Sequence, residues 1–168
     1  MLMAAALSAL AFASPTIDER EGTYRGVGLL DQRRTLERRF GRAKVTKDGP
    51  WEPLDIDFYD AGLPTSSGYT SGAVAIWRFR SAAIVSYGGK TFTMAVTTSD
   101  AITRRGVGVG STLEQVRMKY PMLRCDIANA GTEYPTYPYC AGRVAPGRYV
   151  WFGRDPVRSV TLSRKPMP

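Results

Sequence analysis

The chain of 168 residues contains no histidine and only two cysteines. Without an imidazole there is no triad of the usual type, and two cysteines alone do not complete a zinc site. No serine stands in a Gly-x-Ser-x-Gly elbow, and the acidic residues form no evident catalytic pair. These absences leave open only a lysine or carboxylate base. They favour a protein that is not an enzyme and that holds no metal and no cofactor.

Long hydrophobic runs are also missing, apart from one at the N-terminus. The uncharged run Met1 to Ala13 ends in Ala11-Phe12-Ala13, a small-x-small pattern typical of a signal-peptide cleavage site. It is too short to span a bilayer, and no later segment is a transmembrane candidate. Because a basic n-region is absent, either the true start lies upstream or the run is an apolar N-terminal helix. We predict a signal-peptide remnant at 1–13, an N-terminal segment at 14–22, and a secreted, periplasmic or cell-envelope location.

Cys125 and Cys140 are the two cysteines. In an exported protein an even count favours a disulfide, which here would stabilise the fold by roughly 3 kcal/mol in the chain-entropy model. The alternative is a pair of buried free thiols in a cytosolic protein.

The net charge of +8 is concentrated in the segment Tyr24 to Lys47. An anion or nucleic-acid surface would be one interpretation, but no nucleic-acid motif or aromatic interleaving accompanies the charge. We therefore expect a solvated helix face and no nucleic-acid partner, while weak attraction to anionic envelope polymers stays an alternative. The basic residues concerned are Arg33, Arg34, Arg38, Arg39, Arg42, Lys44 and Lys47.

The stretch from Gly106 to Pro121 predicts a turn followed by a helix of about three turns. Ser111 or Thr112 can cap the helix, and Glu114 is placed to complete a capping box with Ser111. The proline then ends it. The glycines do not indicate a phosphate loop, because the Lys-Ser/Thr pair of such a loop is absent.

The same pattern occurs eighty residues earlier, when Tyr24–Val45 is laid over Arg104–Cys125 without a gap. Apolar positions coincide while charged positions vary, as expected for a repeated structural unit. Farther on, Ile84–Gly89 lies over Tyr149–Arg154. We predict two repeats, at 23–101 and 102–168. Matching pairs are Gly26 and Gly106, Gly28 and Gly108, Leu36 and Val116, Phe40 and Tyr120, and Val45 and Cys125.

Both repeats continue with strand patterns separated by Gly and Pro turns. The first has strands at 74–79, 82–87 and 91–98, and the second at 139–144, 148–152 and 158–163. A helix followed by antiparallel strands in each repeat predicts an α+β fold, whose sheet buries one face under the helices.

The order Gly-Val-x-x-Gly-Ser-Thr-x-x-x-Val, helix, Cys, loop, Cys and the strand Val150-Trp151-Phe152 resembles one unit of the secreted beta-lactamase inhibitory protein of actinomycetes. That inhibitor is a tandem repeat of two such units, and a single unit occurs in the small lipoprotein of the outer-membrane barrel assembly machinery. The resemblance covers most of Tyr24 to Arg164. It implies one curved sheet of about eight strands, helices on its convex face, and a concave face that grips a protein partner.

On that arrangement Tyr149 and Trp151 face the concave side beside Thr161 and Ser163, and Ile84 and Ser86 take the corresponding positions in the first repeat. Aromatic and arginine side chains there and at the hairpin turns would be interface anchors. The predicted protein-binding residues are Trp77, Phe79, Arg80, Arg148, Tyr149 and Trp151.

The chain also departs from the inhibitor. Its first repeat has no cysteine, and the turns Arg78–Ser81 and Pro146–Tyr149 are basic where the inhibitor's inserting turn is acidic. We therefore predict a non-catalytic, secreted protein-binding module whose partner is another protein. The alternatives are an inhibitor of an extracellular enzyme that inserts one of these turns, and a basic envelope protein that binds anionic polymers.

Overall fold

Two short helices, each followed by four antiparallel strands, make up most of the described chain. The computed structural model describes residues 16–47, 74–128 and 136–166. The predicted signal segment, 1–13, lies outside these residues. The elements are β1 (Ile17–Asp18), β2 (Thr23–Tyr24), β3 (Val27–Gly28), α1 (Arg33–Phe40), β4 (Lys44–Lys47), β5 (Val74–Arg78), β6 (Ala82–Tyr87), β7 (Lys90–Val96), α2 (Leu113–Lys119), β8 (Arg124–Ala128), β9 (Tyr137–Ala145), β10 (Arg148–Gly153) and β11 (Ser159–Ser163).

The strands form two antiparallel sheets, so the predicted α+β class is confirmed. β1, β2 and β3 make a small sheet, and the other eight strands form one sheet in the order β4-β5-β6-β7-β11-β10-β9-β8. The first half of the chain (α1 with β4 to β7) and the second half (α2 with β8 to β11) therefore meet at β7 and β11. β4 and β8 are the two edge strands of the large sheet.

The helix α2 begins one residue later than its predicted capping box requires. The N-cap is Thr112, whose side chain accepts from the Gln115 amide while the Gln115 side chain accepts from the Thr112 amide. The predicted box of Ser111 with Glu114 is wrong, because the Ser111 hydroxyl accepts from the Gly108 amide at 3.0 Å instead. The helix is also shorter than predicted, with seven residues ending at Lys119.

The turn before α1 is fixed to β7 of the same half. The Gly28 amide donates to the Asp31 carboxylate at 2.9 Å. The Leu30 amide donates to the Thr91 carbonyl, and the Thr91 amide donates to the Asp31 carbonyl, both at 2.8 Å. Leu30 adopts a left-handed φ of 76°, which costs a non-glycine residue roughly 1 to 2 kcal/mol.

The turn before α2 repeats these contacts eighty residues later. Ser111 takes the place of Asp31 as the acceptor for the Gly108 amide. The Gly110 amide donates to the Val157 carbonyl, and the Val157 amide donates to the Ser111 carbonyl, both at 2.8 Å. Gly110 has a φ of 91°, so here the left-handed position is occupied by the residue type that tolerates it.

The core lies between the helices and one face of the large sheet. Leu36 of α1 and Val116 of α2 are buried in the same cluster as Ile84, Met94 and other strand residues. Each fully buried aliphatic or aromatic side chain of this kind stabilises the fold by about 1.5 to 3 kcal/mol. The expectation that Ile84 faces away from the helices is wrong, because its register partner Met94 points into the core. The other sheet residues of the core are Trp77, Phe79, Ala82, Val96, Cys140, Val150, Phe152, Val160 and Leu162.

Cys125 and Cys140 lie at disulfide-bonding distance, as predicted. They are register partners on β8 and β9, with Cα atoms 4.0 Å apart. The bond joins the edge strand to its neighbour, and Cys140 is fully buried. Among the described residues, no helix is both long enough and apolar enough to cross a membrane.

The N-terminal segment contacts the connection between β7 and α2 and also the end of α2. The Ile17 amide donates to the Ile102 carbonyl. The buried Glu19 carboxylate accepts from the Tyr120 hydroxyl at 2.7 Å, at the end of α2. Burial raises the pKa of Tyr120, and the Glu19 carboxylate raises it further. Tyr120 is therefore a neutral donor at physiological pH, which suits its bond to an acceptor.

The Asp100 carboxylate accepts hydrogen bonds from Tyr24 and Arg25 of the N-terminal segment. Its carboxylate accepts from Thr98 at 2.6 Å, from Tyr24 at 3.1 Å and from the Arg25 Nε at 2.9 Å. Partial burial raises the pKa of Asp100. The hydrogen bonds from Thr98, Arg25 and Tyr24 outweigh burial and hold that pKa below its ordinary value of 3.8. The charged form is therefore favoured by folding.

We expect Asp100→Asn to lower the free energy of unfolding at neutral pH by up to about 1 kcal/mol, a value discounted because the group is partly exposed. A depressed folded-state pKa stabilises the protein above the unfolded pKa, and this stabilisation is lost as pH falls through the folded pKa. The wild type and the variant should therefore converge at low pH. Urea unfolding of both at pH 7 and near pH 2 measures this, and a difference that persists or grows in acid would contradict it.

Candidate functional site

The face of the large sheet turned away from the helices carries the residues that were predicted to bind a partner in the second half. Tyr149 pairs with Ser163, and Trp151 pairs with Thr161. Their neighbours Val150 and Phe152 point into the core. The predicted orientation of this strand is therefore confirmed, and we call this surface the outer face.

The outer face is accessible only at one end. Trp151 is 1% exposed and Thr161 is fully buried, so the middle of the face is closed. Toward the β8 edge, Tyr139 and Tyr149 are half-buried, and Arg124 and Arg143 are exposed. A partner molecule can therefore reach the tyrosines but not the tryptophan.

Trp151 supports one of these tyrosines from behind. The rings of Tyr139 and Trp151 are stacked, with centroids 3.9 Å apart and an angle of 4° between their planes. A ring held in this way loses little side-chain entropy on binding, which favours its use as a rigid contact. Through this contact Trp151 helps to position Tyr139.

A groove of about 210 Å³ lies at this accessible end. Arg124 and the two tyrosines stand in its wall. Sites for drug-sized ligands and cofactors usually enclose about 300 to 1,000 Å³, so this groove suits one or two protruding side chains. Its lining is Arg124, Tyr139, Ala141, Gly142, Tyr149, Val150 and Pro166.

The charge at the groove comes from Arg124. Its Nη2 lies 2.8 Å from the Asp126 carboxylate on the same strand, and the Arg124 side chain is 82% exposed. The Ile127 amide, followed by Arg124, lowers the pKa of Asp126. An exposed ion pair of this kind contributes little to stability, because solvent and salt screen the two charges. Arg124 can therefore exchange Asp126 for another carboxylate at little cost.

Two of the predicted binding residues are core residues. Trp77 is 4% exposed and Phe79 is 8% exposed, and both belong to the cluster under the helices. Phe79 packs edge-on against Phe40 of α1, with ring centroids 5.6 Å apart. They contribute to packing, and they present little surface to a partner in this conformation.

The two basic turns differ from each other. Arg80 is exposed, in a turn closed by the Phe79 amide donating to the Ala82 carbonyl. Arg148 is half-buried, and its Nε donates to the Glu21 carbonyl at 3.2 Å. Of the six predicted residues, Tyr149 lines the groove, and the buried Trp151 stacks on Tyr139 of the groove wall. The structure places Arg80 and Arg148 elsewhere.

Tyr139 and Arg124 were not among the residues predicted from the sequence. A signal for Tyr139 was present, because it precedes Cys140 on a strand and must therefore face away from the buried cysteine. Arg124 precedes Cys125 in the same way. Within the described ranges, no cluster of three or more acidic, histidine or cysteine side chains could hold a metal ion.

Comparisons with protein families, with curated proteins and with solved structures find no match to this chain.

Proposed function

We propose that the protein is a secreted, non-catalytic binding module that takes another protein at the groove on the outer face. The observation that carries the proposal is the pair of half-exposed tyrosines beside an exposed arginine, Tyr139, Tyr149 and Arg124, around a groove of about 210 Å³. Tyrosine and arginine dominate the energetics of many protein interfaces, where they surround pockets that accept an anchor from the partner.

The chemistry of the groove favours an acidic or aromatic anchor. Arg124 offers a guanidinium that can bind a carboxylate in two-point fashion. The tyrosine rings offer flat apolar surface with a hydroxyl at the rim. Since the chain carries a net charge of +8, an acidic partner surface would also be attracted over a longer range.

We further propose that the chain consists of two copies of one unit, joined as a curved sheet with helices on the convex face. The matched turns before α1 and α2 support this, because their hydrogen bonds recur eighty residues apart. The sheet order supports it as well, since Val45 pairs with Trp77 on one side as Cys125 pairs with Cys140 on the other. The disulfide fits the export that the apolar N-terminus predicts.

Affinity capture from the secreted and envelope fractions of the producing organism tests the proposed function. The bait is the wild type or the variant Tyr139→Ala, Tyr149→Ala, and Met118→Ala serves as a matched control. Met118 is 68% exposed on α2, on the helix side of the sheet. We expect one protein to be retained by the wild type and the control and lost with the double variant.

The salt dependence of binding distinguishes a protein partner at the groove from anionic polymers on the basic surface. Contacts of an exposed basic surface with anionic polymers weaken strongly at high salt, because the Debye length falls to about 3 Å at 1 M. Binding through aromatic anchors should weaken only slightly. If the double variant retains the same material as the wild type, and high salt abolishes this retention, the groove is not the binding site. That result would favour binding to anionic envelope polymers.

A further inference from the structure

The edge strand β8 has one long side that no other described strand pairs with. Apolar and charged side chains lie along this edge. β8 is the last strand in the order of the large sheet. Ile127 is 64% exposed and Met122, just before the strand, is 56% exposed. Sheet edges with these properties can pair with another strand, and most proteins protect them.

The backbone groups of Cys125 and Ile127 point outward from this edge. Ile127 stands opposite Pro138, which has no amide proton to donate. The Ile127 amide donates instead to the Asp126 Oδ1 at 2.9 Å. Alternate residues of a strand share a direction, so Cys125 is oriented like Ile127. Its Cα lies 4.0 Å from that of Cys140, as expected for a pair that exchanges no backbone hydrogen bonds.

Asp126 partly covers this edge in the single chain. One of its oxygens holds the Ile127 amide, and the other holds Arg124 at 2.8 Å. The opposite edge, β4, begins with the exposed Lys44, whose charge repels the same residue of a second copy. β8 instead carries one cation and one anion two residues apart, an arrangement that complements itself when the strand is turned around.

We propose that β8 pairs antiparallel with β8 of a second copy of this chain, with the two Cys125 residues opposite each other. In this register Arg124 of each copy faces Asp126 of the other copy. Each Asp126 exchanges its own arginine for the arginine opposite. The Ile127 amide is then free to donate to a backbone carbonyl of the added strand.

Neighbouring registers are less favourable. A register in which the two Asp126 residues stand opposite each other would bring two carboxylates together, which destabilises a sheet. The register with the two Cys125 residues opposite each other gives two Arg124–Asp126 pairs between the copies. It also places Ile127 opposite Leu123 of the second copy. The exposed Ile127 of each copy is then partly covered by the other copy.

Sedimentation velocity of the purified chain over a rising concentration series tests the proposal, at about 0.15 M salt so that the net charge is screened beyond about 8 Å. We expect a dimer whose fraction grows with concentration. Arg124→Glu alone and Asp126→Arg alone should each weaken self-association by about tenfold or more, because each creates two like-charge pairs. An equimolar mixture of these two variants should dimerise again. In the mixed dimer, positions 124 and 126 of the two chains again form two pairs of opposite charge.

Lys44→Glu, at the opposite edge, should dimerise as the wild type does. Unfolding midpoints of the two charge variants show whether each remains folded. A wild type that stays monomeric throughout, single variants that associate like the wild type, or a mixture that does not recover would each overturn the proposal. The measurement uses no partner protein, so its result is independent of the proposed function.

Discussion

Replacing Gly108 with alanine is expected to lower the free energy of unfolding by about 3 kcal/mol or more. A Cβ at this position would lie 1.8 Å from the Ala101 carbonyl oxygen. That oxygen cannot easily move, because it accepts from the Val109 amide at 3.2 Å. The added methyl group must therefore displace backbone at the turn that leads into α2. Urea unfolding followed by tryptophan fluorescence measures the loss.

Gly106→Ala is the control for this prediction. A Cβ at Gly106 meets nothing within 4 Å, but the residue has a left-handed φ of 78°. It should lose only about 1 kcal/mol. Gly28→Ala, whose Cβ would lie 2.2 Å from the Gly22 carbonyl oxygen, should resemble Gly108→Ala. Equal losses at Gly106 and Gly108 would show that close backbone approach is not the cause.

Removing the disulfide by the double substitution Cys125→Ala, Cys140→Ala is expected to lower the free energy of unfolding by about 3 kcal/mol. The two cysteines are 15 residues apart in sequence, and the bond restricts the unfolded chain more than the folded one. Because β8 is an edge strand, the bond also holds the edge to β9. Urea unfolding with and without a reducing agent measures the effect.

The reducing agent provides the matched control. It should destabilise the wild type by about the amount that the double substitution does, and it should leave the double variant unchanged. A wild type whose unfolding midpoint does not respond to full reduction would contradict a stabilising disulfide.

Much of the fold could be predicted because local patterns agree with the packing. The strands at 82–87 and 148–152 were placed within a residue, since Gly and Pro turns bound them. The overlay of Ile84–Gly89 on Tyr149–Arg154 differs by three residues from the alignment that the strand pairing favours. Ile84 pairs with Met94 as Phe152 pairs with Val160, so the pairing aligns Ile84 with Phe152. Short strands such as β1 to β3 have too few residues to show any period.

The site was predicted only in part. The alternation of side chains along a strand shows which face of the sheet each side chain lies on, but it does not show how exposed that side chain is. The parity of β10 put Tyr149 and Trp151 on the outer face. It could not show that Trp151 would be 1% exposed while Tyr149 stays accessible. Trp77 and Phe79 were chosen as aromatic residues near a turn. Their burial depends on α1, whose Phe40 packs against Phe79, and this contact is not visible in the strand pattern.

The most direct measurement is the dissociation constant of the captured partner protein for Tyr149→Ala, compared with the wild type and with Met118→Ala. Tyr149 lines the groove and Met118 lies on the helix side of the sheet. The groove predicts that Tyr149→Ala weakens binding by at least about tenfold, or 1.4 kcal/mol, while Met118→Ala binds as the wild type does. Equal affinity of all three proteins, each folded, would contradict a binding site at the groove.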